Sequence, residues 1–413
     1  MVTEKIIVPM KKVLYGSLLF YIFLIPLPHV TALSEISFYL AVLCAALLFA
    51  GRVLTLRIRT TLIVPMLVFA LWAILSSFWA ADVGENLDSV YQHVIKMIVL
   101  YVLLVSVFNG PEDFRRILWV MVLSVAAFAL YAIIQDYIIL GHSPFTYRLH
   151  PDPQINTNRM GHFCVVAFFL GVSLLQEEKV PVNRTILFFA LFTLLSGIIL
   201  THSRTAFIAT IGGFIVLAWH HRRMALAGLA VLAVILIFLF AFVPTIWLAK
   251  FNDLLKGNDP RVPIYATYFN MAGERPLTGY GFEANLKKNW KRNNDKLPLS
   301  FRMEKAAQRP HDFLLDLEVR LGIVGVLIYC WLLVEAGRIG FHLARRGKGE
   351  FRGRQGLGVL AAFIALYTAG LVGNIFHIKT EMIMFTLMAL LTILSYQKSA
   401  DQNDPERSKN FRL

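Results

Sequence analysis

The sequence predicts an all-α protein that crosses a membrane about twelve times, and three observations lead to this fold class. The composition is 57% hydrophobic and only 16% charged, with a mean hydropathy of +0.62, which is far from that of a soluble domain. The apolar residues gather in runs of about twenty, the length of helix that spans a bilayer. Basic residues recur in every second connection between these runs, as they do on the cytoplasmic side of membrane proteins.

The predicted membrane spans follow one another along the chain with one long interruption. They are residues 13–30, 33–50, 61–79, 92–108, 115–140, 160–176, 184–201, 204–220, 224–247, 313–340, 356–375 and 380–397. The seventh and eighth spans meet in a tight hairpin at His202 and Ser203. The interruption is a long polar loop, residues 248–312, between the ninth and tenth spans. We therefore expect a single transmembrane domain over residues 1–413 with one large loop.

Basic residues in the connections set the predicted orientation. They are Lys11, Lys12, Arg52, Arg57, Arg59, Arg115, Arg116, Lys179, Arg184, Arg222, Arg223, Arg345, Arg346, Lys348, Arg352 and Arg354. The positive-inside bias then places both termini in the cytoplasm. The first apolar run is long and another follows at once, so we predict a retained anchor. Residues 398–413 are polar and mixed in charge, which predicts a disordered cytoplasmic tail.

Several classes of protein are excluded by composition and motif content. The net charge is +14, but the basic residues are dispersed through short loops, unlike the basic helices and grooves of nucleic-acid-binding proteins. A pump driven by ATP would need a nucleotide-binding motif, and the sequence has none. The three cysteines lie inside apolar runs and are predicted to be buried apolar side chains. No cluster of carboxylates suits a divalent cation, so we expect neither a metal nor a cofactor.

The long loop carries an excess of positive charge. Residues 248–312 contain twelve basic and seven acidic residues, a net charge of +5. Long loops escape the positive-inside bias, so this excess leaves the predicted orientation unchanged. It indicates a surface that meets anions, either a substrate or the headgroups of anionic lipids.

Within the loop, Arg261 has the setting of a binding residue. Asp259-Pro260-Arg261 is typical of a turn that opens a helix, and Tyr265 continues the apolar face of that helix. A guanidinium held by a folded helix can form a bidentate contact with phosphate oxygens. An ion pair with Asp259 or Glu274 is the alternative.

Arg204 and His311 lie on the same predicted face as Arg261. Arg204 begins the eighth span, where snorkelling to lipid headgroups is the alternative to substrate binding. His311 ends the long loop, and an imidazole there can take a proton from a sugar hydroxyl because its pKa lies near the working pH. A structural histidine is the alternative. Fixed cations and an imidazole beside a bilayer are what a transferase acting on a lipid-linked anionic donor needs.

Two features around His311 extend this prediction. Asp316, Glu318 and Arg320 lie in the first turns of the tenth span, where charges need partners or a polar cavity. Asp316 and Arg320 are spaced i, i+4 and can pair, and the cluster predicts a hydrated pocket beneath His311. Residues 276–282, Pro-Leu-Thr-Gly-Tyr-Gly-Phe, predict a bend where backbone approaches a ligand closely.

Taken in chain order, these motifs resemble the O-antigen ligase and polymerase superfamily. They are Thr201-His202-Ser203-Arg204, Arg261 ahead of Pro276-Leu277-Thr278-Gly279-Tyr280-Gly281, and His311-Asp312-Phe313-Leu314 leading to Leu321-Gly322-Ile323-Val324-Gly325. The length, the twelve spans and the single large loop look most like the O-antigen ligases of Gram-negative bacteria.

The resemblance implies a membrane glycosyltransferase of the GT-C type in the bacterial inner membrane, with its active site facing the periplasm. It would move O-antigen polysaccharide from undecaprenyl diphosphate to a sugar hydroxyl of the lipid A–core oligosaccharide. In the family two arginines bind the donor diphosphate and a histidine assists catalysis, which implies Arg204, Arg261 and His311 in this chain. We expect transfer to be metal-independent and to invert the anomeric carbon.

Further side chains are weaker candidates for contact with the diphosphate or the acceptor: Arg159, Tyr265, Arg309 and Arg320. Arg159 ends Asn156-Thr157-Asn158-Arg159, which resembles an asparagine-containing stretch before the sixth span in the family. Ion pairing explains each of the three arginines equally well.

Other functions remain open at this point. An O-antigen polymerase would extend the lipid-linked glycan itself, but polymerases often carry two sizeable periplasmic loops, and here residues 141–160 form a short one. A protein O-oligosaccharyltransferase usually has a longer chain and an extra periplasmic domain. A flippase or other transporter of lipid-linked oligosaccharides would place its key charges near the midplane, whereas Arg204, Arg261 and His311 are predicted at one face.

Overall fold

The computed structural model of the protein is helical, and the residues that it describes contain no strand. It describes residues 2–150, 152, 154–242, 261–283, 286–298, 302, 310–346, 351–373 and 375–403. β-Pairing within these residues is limited to one isolated bridge between Asp152 and Ile155. The predicted all-α class is therefore confirmed.

The helices of the described residues are numbered here in chain order. They are α1 (Val2–Leu24), α2 (Thr31–Ala50), α3 (Ile63–Leu75), α4 (Val83–Val107), α5 (Pro111–Ile139), α6 (Thr157–Glu177), α7 (Pro181–Leu200), α8 (Arg204–Phe242), α9 (Arg261–Glu274), α10 (Leu286–Asn294), α11 (Phe313–Arg346), α12 (Phe351–Gly370) and α13 (Ile378–Asn403). Two of them contain a break, α8 at His221 and α11 at Gly322.

Eight of the described helices are long and apolar enough to cross a membrane: α1, α2, α4, α5, α6, α7, α11 and α13. Two shorter apolar helices, Ile63–Phe78 and Arg204–Trp219, coincide with the third and eighth predicted spans. The protein is thus a polytopic helical membrane protein, as predicted. The total of twelve spans, the GT-C architecture and the single-domain organisation stay predictions.

Two helix ends differ from those that hydropathy predicts. The acidic connection before the fourth predicted span is the first part of α4, because the Asp82 side chain accepts a hydrogen bond from the backbone N of Glu85 at 2.9 Å and so caps the helix. Acidic residues also favour the positive end of the helix dipole there. At the other end of the chain, α13 continues to Asn403, into the segment predicted as a disordered tail, and residues 404–413 lie outside the described part.

The core that supports the site lies where α12 packs against α6 and α8. Most side chains of α12 are buried, and small residues let the backbones approach. A Cβ added to Gly358 would lie 2.3 Å from the Cβ of Ser173 in α6. The Ser173 hydroxyl donates to Oε1 of Gln355 at 3.1 Å, so the polar groups of this contact satisfy each other. This close packing fixes α6 and α8 relative to each other, and both helices contribute residues to the site.

Candidate functional site

A pocket lies at the turn where the chain reverses between the end of α7 at Leu200 and the start of α8 at Arg204. Its lining comes from three segments of the chain and consists of Arg148, Asn158, His202, Arg204, Thr205 and Arg261. The structure thus brings Arg204 and Arg261, two of the predicted site residues, to one place. The lining residues that the structure describes include three arginines and no carboxylate.

Hydrogen bonds to the preceding loop fix the turn at the start of α8. His202 takes a left-handed backbone conformation with φ of +46°, and its Nε2 lies 3.0 Å from the carbonyl oxygen of Pro144. Ser203 donates its hydroxyl hydrogen to Oδ1 of Asn158 at 2.9 Å. The backbone N of Ala206 donates to Ser203 Oγ at 3.4 Å, which makes Ser203 the helix cap. The orientation of Arg204 at the helix start is therefore set by the loop as well as by α8.

Arg148 supplies the third guanidinium of the pocket. Its Nη2 donates to Oδ1 of Asn158 at 3.1 Å, and its Nε donates to the carbonyl oxygen of Thr201 at 3.0 Å. Burial lowers the pKa of Arg148, and the charge of nearby Arg204 lowers it further. Two like charges at such close range repel each other, and an anion between them relieves that repulsion. The pocket therefore has the electrostatics of an anion site.

The position of the pocket at a helix N-terminus strengthens this property. The first backbone N–H groups of α8 have no partner within their own helix, and the helix dipole places partial positive charge at that end. Phosphate groups bind at such ends, and guanidinium forks match the geometry of phosphate oxygens. Behind the lining, the buried His162 of α6 lies with its Nε2 2.8 Å from Oγ1 of Thr205. This contact holds the first turn of α8 against α6.

Arg261 and His311 are connected through Tyr265. Arg261 is the first residue of α9, as predicted, and Tyr265 lies one helical turn further on. The hydroxyl of Tyr265 donates to the carbonyl oxygen of His311 at 3.3 Å, so this candidate for substrate contact binds the backbone next to the predicted base. His311 precedes Asp312, whose Oδ1 accepts hydrogen bonds from the first turn of α11. The described lining of the arginine pocket does not include His311, which lies beside the same loop helix.

The glycine-rich bend packs against α11. The backbone N of Gly281 donates to the carbonyl oxygen of Arg320 at 2.9 Å, and the backbone N of Ile323 donates to that of Pro276 at 2.8 Å. Gly322 breaks α11 with φ of +66° and ψ of −176°, and a Cβ there would lie 2.2 Å from the backbone of Leu277. The glycines predicted a bend whose backbone approaches a ligand closely. A close backbone approach is observed, but the group that the bend approaches is the backbone of α11.

Arg320 is held within the protein by several groups. Its Nε lies 3.3 Å from Oδ2 of Asp316 and its Nη1 lies 3.3 Å from Oε2 of Glu283. It also donates to the carbonyl oxygen of Phe282, and its side chain is only 3% exposed. The i, i+4 ion pair that the spacing predicted is thus present, whereas the hydrated pocket beneath His311 stays a prediction.

Arg159 and Arg309 are the two remaining weaker candidates for substrate contact. Arg159 donates through Nη1 to the carbonyl oxygen of Gln154 at 2.8 Å and does not line the pocket in the described residues. Its neighbour Asn158 does, from the same asparagine-containing stretch. Arg309 lies outside the described residues. In the described part of the chain, no three His, Cys, Asp or Glu side chains lie together in a way that could hold a metal ion.

Sequence reasoning did not identify Arg148, and within the stretch Asn156-Thr157-Asn158-Arg159 it predicted Arg159 as the contact residue instead of Asn158. Arg148 and Asn158 both belong to the segment around residues 141–160, which was assigned to the same face as Arg204 but has no periodicity from which contacts can be read. The signal that could have found Arg148 is the excess of polar side chains with few acids in so short a loop. Its hydrogen bonds to Asn158 and Thr201 depend on the tertiary fold.

The fold and the pocket together define a polytopic helical membrane protein with an arginine-lined pocket at one end of its bundle. Residues 189–330 match the family model described as O-antigen ligase. The resemblance to the O-antigen ligase and polymerase superfamily is therefore confirmed over this segment, which contains Arg204, Arg261 and His311 but not Arg148. The family indicates a glycosyltransferase-like activity on lipid-linked glycans in a bacterial membrane. None of the curated proteins compared with the chain matches it.

Proposed function

We propose that the protein is an O-antigen ligase, which transfers O-antigen polysaccharide from undecaprenyl diphosphate to a sugar hydroxyl of the lipid A–core oligosaccharide. The observation that carries this proposal is the pocket in which Arg148, Arg204 and Arg261 meet at the N-terminus of α8. A diphosphate carries the charge and the oxygen geometry that three guanidiniums and a helix N-terminus bind. Among the anions that could bind there, the match to the O-antigen ligase family supports the diphosphate of a lipid-linked glycan donor.

The arginines act on the leaving group in this proposal. Negative charge builds on the diphosphate as the bond between the anomeric carbon and the phosphate oxygen breaks. Cations that are already in position stabilise that charge most in the transition state, because no reorganisation is needed. The Asn158 and Thr201 contacts of Arg148 and the helix-start position of Arg204 provide such fixed positions. Undecaprenyl diphosphate then departs without protonation by a general acid.

His311 is assigned to the acceptor. Its imidazole takes the proton of a sugar hydroxyl, and the oxygen attacks the anomeric carbon from the face opposite the diphosphate, which inverts that carbon. Positioned general bases contribute typically 10²- to 10⁴-fold in rate. The Tyr265 hydrogen bond to the His311 carbonyl ties this segment to the helix that begins with Arg261. The base and one of the three donor cations, Arg261, are therefore carried by neighbouring parts of one loop.

The membrane setting follows the predicted topology. Both termini would be cytoplasmic, residues 1–413 would form one transmembrane domain, and residues 248–312 would face the periplasm in the inner membrane. The prenyl tail of the donor would lie in a groove between helices while the acceptor approaches from the outer leaflet. A GT-C relationship accords with the helical membrane fold and remains part of the proposal.

Transfer by the purified protein tests this function. Undecaprenyl-diphosphate glycan and lipid A–core are supplied in detergent, and the products are separated by size. We expect a glycan ladder on lipid A–core that is lost in Arg261→Ala and retained in Arg275→Ala, an exposed arginine of the same loop. Lengthening of the lipid-linked glycan without transfer to lipid A–core would identify a polymerase instead. Transfer that EDTA abolishes and magnesium restores would contradict the metal-independent mechanism.

A transporter is distinguished by where the substrate accumulates. In cells with Arg261→Ala, a ligase leaves lipid-linked glycan on the periplasmic side, because its flipping is unaffected. Cytoplasmic accumulation would favour a flippase. The cluster of arginines at one end of the bundle, at the start of α8, supports the transferase.

A further inference from the structure

A second cavity lies between α1, α5 and α7, away from the arginine pocket. Its lining consists of Leu19, Glu112, Arg115, Arg116, Trp119, Val120 and Asn183. We refer to it as the α5 groove, because five of these seven residues belong to one face of α5 at a spacing of three to four residues. The reaction proposed above does not use any of them.

The α5 groove and the arginine pocket lie at opposite ends of the same helices. Asn183 is in the first turn of α7, whereas Leu200 ends α7 at the pocket. Seventeen residues of helix separate the two, about 26 Å at 1.5 Å per residue, close to the roughly 30 Å thickness of the hydrocarbon core. At the pocket end, the hydroxyl of Tyr137 in α5 lies 3.5 Å from the carbonyl oxygen of Leu200. The groove is thus at headgroup depth in the opposite leaflet.

The groove changes from polar to apolar along α5. Glu112, Arg115 and Arg116 lie in the first turns of the helix, and Trp119 and Val120 follow one turn deeper. Tryptophan is enriched at the membrane–water interface, where one part of its side chain is apolar and another can donate a hydrogen bond. This arrangement matches one phospholipid, with its headgroup at the helix start and its acyl chain along the deeper residues.

The two arginines diverge to neighbouring helices and flank the groove. Arg115 pairs with Glu178 at the end of α6, and Arg116 donates through Nη1 to the hydroxyl of Tyr15 at 3.0 Å and lies 3.7 Å from Asp113. A guanidinium has five N–H donors, so these contacts leave donors for the oxygens of a phosphate group.

The carboxylates decide which headgroup fits. The two arginines that line the groove are each paired with a carboxylate of the protein, Arg115 with Glu178 and Arg116 with Asp113, and Glu112 lines the groove beside them. A purely anionic headgroup would therefore meet a further negative charge at Glu112. Glu112 is exposed at the first turn of α5 and can accept hydrogen bonds from a cation. The groove therefore complements a headgroup that carries a phosphate and an ammonium together.

We propose that the α5 groove is a binding site for a zwitterionic phospholipid with a primary-amine headgroup. Its phosphate lies between Arg115 and Arg116, its ammonium donates to Glu112, and an acyl chain lies along Leu19, Trp119 and Val120. This site does not depend on the glycosyltransferase function proposed above.

Native mass spectrometry of the purified, delipidated full-length protein tests the site. Phosphatidylethanolamine, phosphatidylcholine and phosphatidylglycerol are each titrated into the detergent solution, and lipid adducts are counted. Phosphatidylcholine carries the same charges but its quaternary ammonium has no N–H donor. We expect about tenfold tighter binding of phosphatidylethanolamine than of phosphatidylcholine, the value of one hydrogen bond to a charged group. Glu112→Gln is expected to remove this preference.

Two further variants complete the design. Glu85→Gln removes an exposed acid from the first turn of α4 and is expected to keep the preference. Arg116→Gln keeps Glu112 and is expected to weaken binding of both zwitterionic lipids, because both carry the phosphate. Equal binding of the two in wild type, strongest binding of phosphatidylglycerol, or an unchanged preference in Glu112→Gln would overturn the proposal. Glycan is absent from this measurement, so its outcome is separate from that of the transfer assay.

Discussion

Asn158→Asp is the substitution that most directly tests the arginine pocket. The amide oxygen of Asn158 accepts one hydrogen bond from Arg148 at 3.1 Å and another from Ser203 at 2.9 Å. An aspartate has the same shape and also accepts both, so the turn at the start of α8 keeps its contacts. The substitution replaces the two N–H donors of the amide by an oxygen and places one negative charge against a guanidinium that the proposal assigns to the donor.

The expected loss can be estimated from these distances. A phosphate oxygen that accepts from the second N–H of Arg148 Nη2 lies at most about 6 Å from the new carboxylate oxygen, since two hydrogen-bond lengths meet at that nitrogen. Two unit charges at this distance repel by about 3 kcal/mol at an effective dielectric constant of about 20. We therefore expect the donor KM to rise about a hundredfold. Transfer is measured at fixed lipid A–core with increasing undecaprenyl-diphosphate glycan.

Thermal unfolding separates this charge effect from damage to the fold. The Tm of Asn158→Asp should equal or exceed that of wild type, because the new carboxylate pairs with Arg148. Asn270→Asp adds the same charge at an exposed position of α9 and should leave the donor KM nearly unchanged. A donor KM within about threefold of wild type in Asn158→Asp would refute the assignment of the pocket to the diphosphate.

Three further predictions concern the loop and its anchorage. Gly322→Ala should lower the free energy of unfolding by about 3 kcal/mol, since φ of +66° with ψ of −176° is available essentially to glycine alone. As a control, Gly337→Ala should raise the free energy of unfolding by about 0.5–1 kcal/mol, because there is open space around its Cβ. The hydrogen bond from Arg292 lowers the pKa of Glu274 below its ordinary value of 4.5, so its stabilisation is complete above about pH 4.5 and is lost as the pH falls through the lowered pKa. His311→Ala should reduce kcat by about 10²- to 10⁴-fold with the donor KM retained.

Each of these has a measurement that can contradict it. Equal Tm values for the two glycine variants would remove the strain assigned to the break in α11. The fall in Tm between about pH 5 and pH 3 should be smaller in Glu274→Gln than in wild type, and an identical fall would exclude the linkage. An unchanged kcat in His311→Ala would refute the role of His311 as the base, and it would not affect the assignment of the arginine pocket to the diphosphate.

Hydropathy and helix signals predict where the helices of this protein lie in the sequence better than they predict which helices contact each other. The helix that begins at Arg261 and the tight turn before Arg204 were predicted and are present, because both depend on local backbone chemistry. The acidic residues after Asp82 were predicted as a connection, because their charges lower the mean hydropathy of the segment. The structure shows that they form the first turns of α4, which Asp82 caps. Local sequence cannot separate a charged connection from a charged first helical turn.

The site shows the same limit. Arg204 and Arg261 could be placed at one face from topology, but Arg148 joins them only through hydrogen bonds to Asn158 and Thr201 that no periodicity encodes. The glycines of the bend indicated a close backbone contact, and only the fold reveals that Gly322 in α11 supplies its other half. A pattern of glycines predicts that the backbone of the bend approaches another group closely, but it does not identify that group.

The brevity of the turn between α7 and α8 has a consequence for the range of substrates. It keeps Arg204 at the first residue of α8, four residues after α7 ends at Leu200, instead of on a long arm that could follow a sugar chain outward. If the pocket holds the diphosphate, recognition is confined to the anchored end of the donor. Polysaccharides of very different length and sugar sequence would then present the same group to the same three guanidiniums, and product length would be decided before the donor arrives.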